Sequence, residues 1–249
     1  MGSDHSRGPI KDPLALQSLS DVKLERIKDK REVGINFSLK KFAPAENDGD
    51  NMLLASDLWA DRCAIVIVLS RPGCPLCREQ AHMLCQRVEE LSQLLDFSVD
   101  DKSFNLVAIV KSRDEEDIQE FYEYFTTSVQ VNNNIYGNIF FDREQGFYKK
   151  MRNLNKWQVL LPSFWKRWNA AYKRFKGSTS TDGFKLGGIL VVNKEKVWYE
   201  FREENKLDSA PLEEILQAFE TATSLTVDRV SLNSFNAVES RPVETSEPT

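Results

Sequence analysis

The chain has 249 residues, 41% of them hydrophobic, and a formal net charge of −5, with a pI near 5.3. That length fits one sizeable domain with tails, and the acidic balance excludes a general nucleic-acid binder. No apolar run approaches the roughly 20 residues that cross a bilayer, and the N-terminus lacks the apolar segment of a signal peptide, so a cytoplasmic location is expected.

Residues 1–50 read as an N-terminal extension, partly helical. Its first six residues, Met1-Gly2-Ser3-Asp4-His5-Ser6, match the pattern M-G-x-x-x-[ST], which makes Gly2 a candidate lipidation site, although polar leaders also match by chance. Leu14–Glu32 mixes spaced apolar residues with many charges and predicts an amphipathic helix. Ile35–Lys41 alternates as an edge strand does, Pro44–Asp50 is a polar turn, and Met52–Trp59 predicts a short helix. Ala64–Leu69, within the apolar run from Cys63, is then apolar on both faces, which suits a strand at a sheet centre.

This strand runs into Ser70-Arg71-Pro72-Gly73-Cys74-Pro75-Leu76-Cys77-Arg78-Glu79, which opens a helical pattern reaching about Leu95. Two thiols therefore sit where a strand becomes a helix. Unpaired N–H groups and the helix dipole favour negative charge there, so a cysteine loses its proton more easily than a free thiol does. The spacing predicts Cys74 in an exposed first turn and Cys77 one turn deeper, close enough to form a reversible disulfide. A Cys-x-x-Cys pair is also half of a zinc site. The further ligands would be Cys63, His82 and Cys85, but Cys63 lies roughly 30 Å from Cys74 at strand rise, and no second such motif exists. Redox chemistry is the favoured reading and no metal is expected; a metal half-site and two buried structural thiols are the alternatives. Cys77, Ala81, Leu84, Cys85, Val88, Leu91 and Leu95 recur at helical spacing, so Cys85 reads as a core residue.

Phe104–Val110 predicts a buried strand, Asp114–Thr127 a helix and Asn138–Phe141 a short strand, the alternation a parallel sheet requires. Lys149–Lys176 holds nine Lys or Arg and no acid, and Leu161, Phe164, Trp165, Trp168, Tyr172 and Phe175 fall at helical spacing on one side. Such a basic aromatic helix packs on the core, covers a site, or lies on an anionic membrane. Gly187–Val192 and Val197–Arg202 flank Asn193-Lys194-Glu195-Lys196 as two antiparallel strands with a tight turn, and Asp208 and Ser209 read as caps of a last helix near Pro211. The main domain is thus placed at 51–223, with an insertion at 149–180, and residues 224–249 read as a disordered tail.

The run R-P-G-C-P-L-C-R-E-Q-A, preceded by S-D-L-W at Ser56–Trp59 and followed by D-G-F-K-L-G-G-I-L-V-V at Asp182–Val192, resembles the peroxiredoxin-like 2 family. The resemblance spans roughly Met52–Phe219. It implies an α/β thioredoxin-like fold near the AhpC/TSA peroxiredoxins, a mixed central sheet with helices on both faces. One branch of that family is the prostamide/prostaglandin F synthase, and a related branch carries selenocysteine in place of the first cysteine. Two departures stand out. Peroxiredoxins place Thr or Ser three residues before the attacking cysteine, where this chain has Arg71, and thioredoxins place a cis-proline where this chain has Leu186-Gly187-Gly188. Glycines would let a bulkier substrate approach the sulfur, or else allow close packing.

The expected function is a thiol oxidoreductase in which Cys74 attacks a peroxide or lipid endoperoxide and Cys77 resolves the product. Thioredoxin or a similar dithiol donor, driven by NADPH, would restore the thiols, with no cofactor bound. Gly187, Gly188, Arg71 and Arg78 are candidate substrate-binding residues; each arginine would otherwise be a solvated charge. The rival is a non-catalytic redox sensor or adaptor whose disulfide state controls how the basic aromatic segment meets a partner or a membrane surface.

Overall fold

The computed structural model describes residues 16–27, 52–94, 104–125, 136–153, 161–178, 185–205 and 207–223. Gly2, the strand expected at Ile35–Lys41, the turn at Pro44–Asp50 and the tail at 224–249 lie outside them.

Among the described residues, one mixed sheet of seven strands organises the chain: β1 (Lys23–Ile27), β2 (Met52–Leu54), β3 (Cys63–Val68), β4 (Phe104–Val110), β5 (Tyr136–Phe141), β6 (Gly188–Val192) and β7 (Val197–Arg202). Their spatial order is β2-β1-β5-β4-β3-β6-β7. β3, β4 and β5 are parallel; β1, β2, β6 and β7 run antiparallel to their neighbours. The sequence correctly places β3 inside the sheet and reads β4 as a buried strand; every residue of each is buried.

Side chains alternate across the sheet at period 2. Cys63, Ile65, Ile67 and Leu69 enter one core, which α2 (Pro75–Leu94), α3 (Glu115–Phe125) and α5 (Leu212–Thr223) cover with Ala81, Leu84, Cys85, Phe121, Phe125, Ile215 and Phe219. Ala64, Val66 and Val68 enter the other, closed by Leu19 of α1 (Leu16–Ser20), by Leu58 and Trp59, and by Phe147 and Tyr148. This is the α/β thioredoxin-like arrangement, with a hairpin and helix at its end.

Three expected elements need correction. Leu14–Glu32 is not one helix: α1 stops at Ser20, the chain turns through the Val22 amide donating to the Leu19 carbonyl (3.0 Å), and β1 follows. The reason is the ladder, since β1 gains backbone partners from both β2 and β5, and buries Leu24 between them. Met52–Trp59 begins as β2 and only then forms a 3-10 turn at Ala55–Leu58, where Asp57 accepts the Leu54 amide (2.9 Å). Asp208 does not cap α5; its carboxylate accepts the Glu204 and Asn205 amides at 2.7 and 3.2 Å and closes the turn before the helix.

Candidate functional site

The cysteine turn is built by the end of β3. The Leu69 amide donates to the Ile109 carbonyl of β4 (2.9 Å), which carries the chain to the sheet's C-terminal edge. Arg71-Pro72-Gly73-Cys74 then closes a turn, the Cys74 amide donating to the Arg71 carbonyl at 3.2 Å. Pro75 takes the first helical position, where its missing N–H costs nothing. The Arg78 amide donates to the Cys74 carbonyl (3.0 Å), so Cys74 is the residue that caps α2 and Cys77 lies one turn in. All four cysteines are free thiols.

Both thiols are covered, which corrects the expectation of an exposed first turn: Cys74 is 2% and Cys77 6% accessible. The end of the basic insertion packs against the cysteine turn. Its helix α4 (Pro162–Phe175) ends at Lys176, and the chain passes Gly177 at φ +143°, a backbone conformation that L side chains rarely adopt. Ser178 then locks onto the turn: its amide donates to the Gly73 carbonyl (2.9 Å), its carbonyl accepts from the Arg71 guanidinium, and its hydroxyl donates to Asp117 (2.8 Å). A Cβ on Gly73 would fall inside contact distance of both Asp117 oxygens and of the Ser178 hydroxyl, which is why glycine stands there.

Neither arginine of the motif is a solvated charge. Arg78 is fully buried and committed: its Nε donates to the Pro72 carbonyl (2.8 Å), its Nη1 to Glu120 (2.8 Å), and its Nη2 lies 3.7 Å from Asp117. It holds the turn to α3. Arg71 is 6% accessible. Its guanidinium donates to the Ser178 carbonyl, its Nε is buried with no hydrogen-bond partner, and no carboxylate among the described residues pairs with it. A buried cation is costly unless a counter-charge meets it, and none of the described residues supplies one here.

Helix α4 is bolted to α2. Arg167 and Arg174, on one side of α4, both pair with the buried carboxylate of Glu79, while the Arg78 guanidinium reaches the Phe175 carbonyl (3.4 Å) and His82 meets the Phe175 ring at 5.5 Å. The six apolar residues of this segment do not share one face as expected. Phe164 and Phe175, with Ala171, turn inward, whereas Leu161, Trp165 and Tyr172 are about half exposed. Helical spacing places 164, 168, 171 and 175 in one stripe and 161, 165 and 172 in the next.

Behind the thiols lies a group of polar residues that the sequence reading passed over. The Ser70 hydroxyl is 3.6 Å from the Cys77 sulfur, both buried. Gly187 donates its amide to Glu203 (2.9 Å) and accepts the Glu203 amide (3.0 Å). A Cβ at Gly187 would meet the Val68 carbonyl of β3, and at Gly188 the Phe201 carbonyl of β7, so the two glycines serve close packing of β6 against its neighbours. The Tyr148 hydroxyl is shared between the Leu69 and Ile109 carbonyls at 2.6 and 2.8 Å, and burial beside Asp142, Cys77 and Glu203 holds its phenol far above the usual range. Cys63, at the far end of β3, is in the core, and burial pushes its thiol up to about 12. Glu203 and Ser178 gave no signal in sequence, because each sits in a polar run that looks solvated.

The fold and this site define a thioredoxin-like α/β protein with a Cys-x-x-Cys pair capping the first long helix. The family described as AhpC-TSA_2: AhpC/TSA antioxidant enzyme matches residues 90–205, downstream of the two cysteines. Peroxiredoxin-like 2A of Danio rerio is 32% identical over 206 residues, 74% of this chain and 85% of that protein. The Xenopus tropicalis protein of the same name is 30% identical over 178 residues (70% of each chain), and the Homo sapiens protein 30% over 171 residues (66% of each). The chain belongs to the peroxiredoxin-like 2 family, and that membership supports a thioredoxin-like redox role.

Proposed function

We propose that the protein is a thiol-dependent oxidoreductase in which Cys74 attacks the O–O bond of a peroxide or lipid endoperoxide. The observation that carries this reading is the placing of two reduced thiols one helical turn apart at the start of α2, with the buried Arg71 guanidinium, which meets no carboxylate among the described residues, in the same turn. With a hydroperoxide, attack leaves a sulfenic acid on Cys74 and releases the reduced alcohol. Cys77 then displaces water to form the Cys74–Cys77 disulfide, and two electrons from thioredoxin, supplied by NADPH, restore the thiols. Positive charge on Arg71 stabilises the anions that appear at this point, first the thiolate and then the departing oxygen.

The insertion acts as a cover. A small oxidant needs little room, but a lipid endoperoxide or a protein reductant reaches Cys74 only when the 176–178 strap moves. The same contacts support the second reading, a redox sensor: the strap touches the cysteine turn directly, so a disulfide there would alter the seating of α4. Purified protein with NADPH, thioredoxin reductase and thioredoxin separates the two. The enzyme consumes NADPH steadily when hydroperoxide or endoperoxide is added; the sensor gives a single turnover at most.

A further inference from the structure

We infer that Arg71 and the start of α2 form a carboxylate site beside Cys74, and that a peroxide bearing a carboxylate releases the 176–178 strap by taking the Arg71 guanidinium from Ser178. This names a substrate class for the reading proposed above, on which the inference rests, and makes Arg71 a specificity-determining residue.

An arginine approached from its side presents two parallel N–H groups, one on Nε and one on Nη2, at a spacing that fits the two oxygens of a carboxylate. At Arg71 only half of that fork is filled. Nη2 donates to the Ser178 carbonyl, while Nε is buried and has no hydrogen-bond partner. The residue is 6% accessible, and one neutral carbonyl is a weak partner for a buried cation. The two acids of this region are committed to other groups: Asp117 lies 3.7 Å from Arg78 and accepts the Ser178 hydroxyl (2.8 Å), and Glu120 accepts from Arg78 at 2.8 Å. Three residues on from Arg71, Cys74 caps α2, a helix of 20 residues whose N-terminal dipole favours negative charge at the same place.

The Ser178 carbonyl and an incoming carboxylate therefore compete for one guanidinium. A carboxylate fills both Nε and Nη2 and brings a full charge, so it wins the exchange. Losing the guanidinium removes one of three contacts by which Ser178 sits on the cysteine turn. The others are its amide on the Gly73 carbonyl and its hydroxyl on Asp117. An anionic peroxide thus loosens the strap as it binds, whereas a neutral one meets it latched.

Iodoacetate and iodoacetamide are nearly equal in size and differ in the carboxylate, so they serve as the probe. Both react with the same Cys74 thiolate, and the ratio of their rates cancels the thiol pKa and reports recognition of the anion. The rates at Cys74 are followed by peptide mass mapping of the whole protein at pH 8, folded and in urea. The iodoacetate-to-iodoacetamide ratio of the folded chain is expected to be about tenfold above that of the unfolded chain, the margin of a charge-assisted over a neutral hydrogen bond. Arg71→Gln, which keeps an amide donor for the Ser178 carbonyl, should bring the ratio to the unfolded value, and Arg71→Lys, which keeps the charge without the fork, should retain part of it. A fatty-acid hydroperoxide should also show a lower KM than its methyl ester, a difference that Arg71→Gln removes. A folded ratio at or below the unfolded one would overturn the site, and so would an Arg71→Gln ratio equal to that of the unmodified chain; the folded-to-unfolded comparison decides if Arg71→Gln does not fold. A raised ratio in a chain that turns over no peroxide would overturn the proposed oxidant chemistry and not the site. Equal turnover of acid and ester without a raised ratio would overturn the site and not the chemistry.

Discussion

Gly73 carries more of this site than its size suggests, because the Asp117 carboxylate and the Ser178 hydroxyl occupy the space where a Cβ would go. Gly73→Ala should destabilise the protein by about 1–3 kcal/mol, the usual cost of forcing extra atoms into packed surroundings, measured by urea denaturation. It should also speed alkylation of Cys74, since Ser178 can no longer close on the turn. The thiols divide by environment. Cys63, pushed up to about 12 from an ordinary 9.0 by burial, stays protonated near neutral pH, so iodoacetamide at pH 8 should label Cys74 first and leave Cys63 untouched in the folded state. The sign of its stability contribution follows: it is fully present below the ordinary thiol value of 9.0 and is lost as pH rises toward about 12. Cys63→Ala should therefore lessen the fall of stability above pH 9, followed by urea unfolding between pH 8 and 11.

Helix α4 shows how a charged insertion becomes part of a site. Glu79 is buried and takes both Arg167 and Arg174, whose own side chains are largely solvated. Removing the acid therefore frees the helix at little cost to the rest of the fold. A charge-assisted hydrogen bond is worth about 1.5–3 kcal/mol, so Glu79→Ala should raise the rate of Cys74 alkylation by roughly tenfold or more, each 1.4 kcal/mol being tenfold. An unchanged rate would mean that α4 does not gate the thiols. The central strands, the cysteine turn, α2 and the hairpin were legible in sequence because each depends on local signals: apolar runs, a capped helix start, two strands around Asn193–Lys196. β1 was not, because its strand form depends on partners β2 and β5 that are distant in sequence. The burial of Cys74 and Arg71 was equally hidden, since the strap that covers them joins residues 71–73 to residue 178, more than a hundred positions away.

At the scale of the molecule, no helix of the described residues is long and apolar enough to cross a membrane. Leu161, Trp165 and Tyr172 form an outward stripe on α4 beside exposed Lys166, Lys173 and Lys176. We propose that this surface, with acylation at Gly2, holds the protein on anionic vesicles, since one acyl chain or one basic patch alone binds only marginally. Myristoylated protein should co-sediment with phosphatidylserine vesicles at low salt and be released by high salt, as screening shortens the reach of charge. Trp165→Ser with Lys166→Ser and Lys173→Ser should abolish co-sedimentation, and retention by that variant would contradict the assignment. The most direct measurement remains turnover: NADPH oxidation through thioredoxin reductase and thioredoxin, with a hydroperoxide or lipid endoperoxide as oxidant, in the unmodified chain, Cys74→Ser and Cys77→Ser. Steady consumption in the unmodified chain, none in Cys74→Ser, and in Cys77→Ser one round that leaves a sulfenic acid on Cys74, is the expected result. Equal rates in Cys74→Ser and the unmodified chain would contradict the redox site at the start of α2.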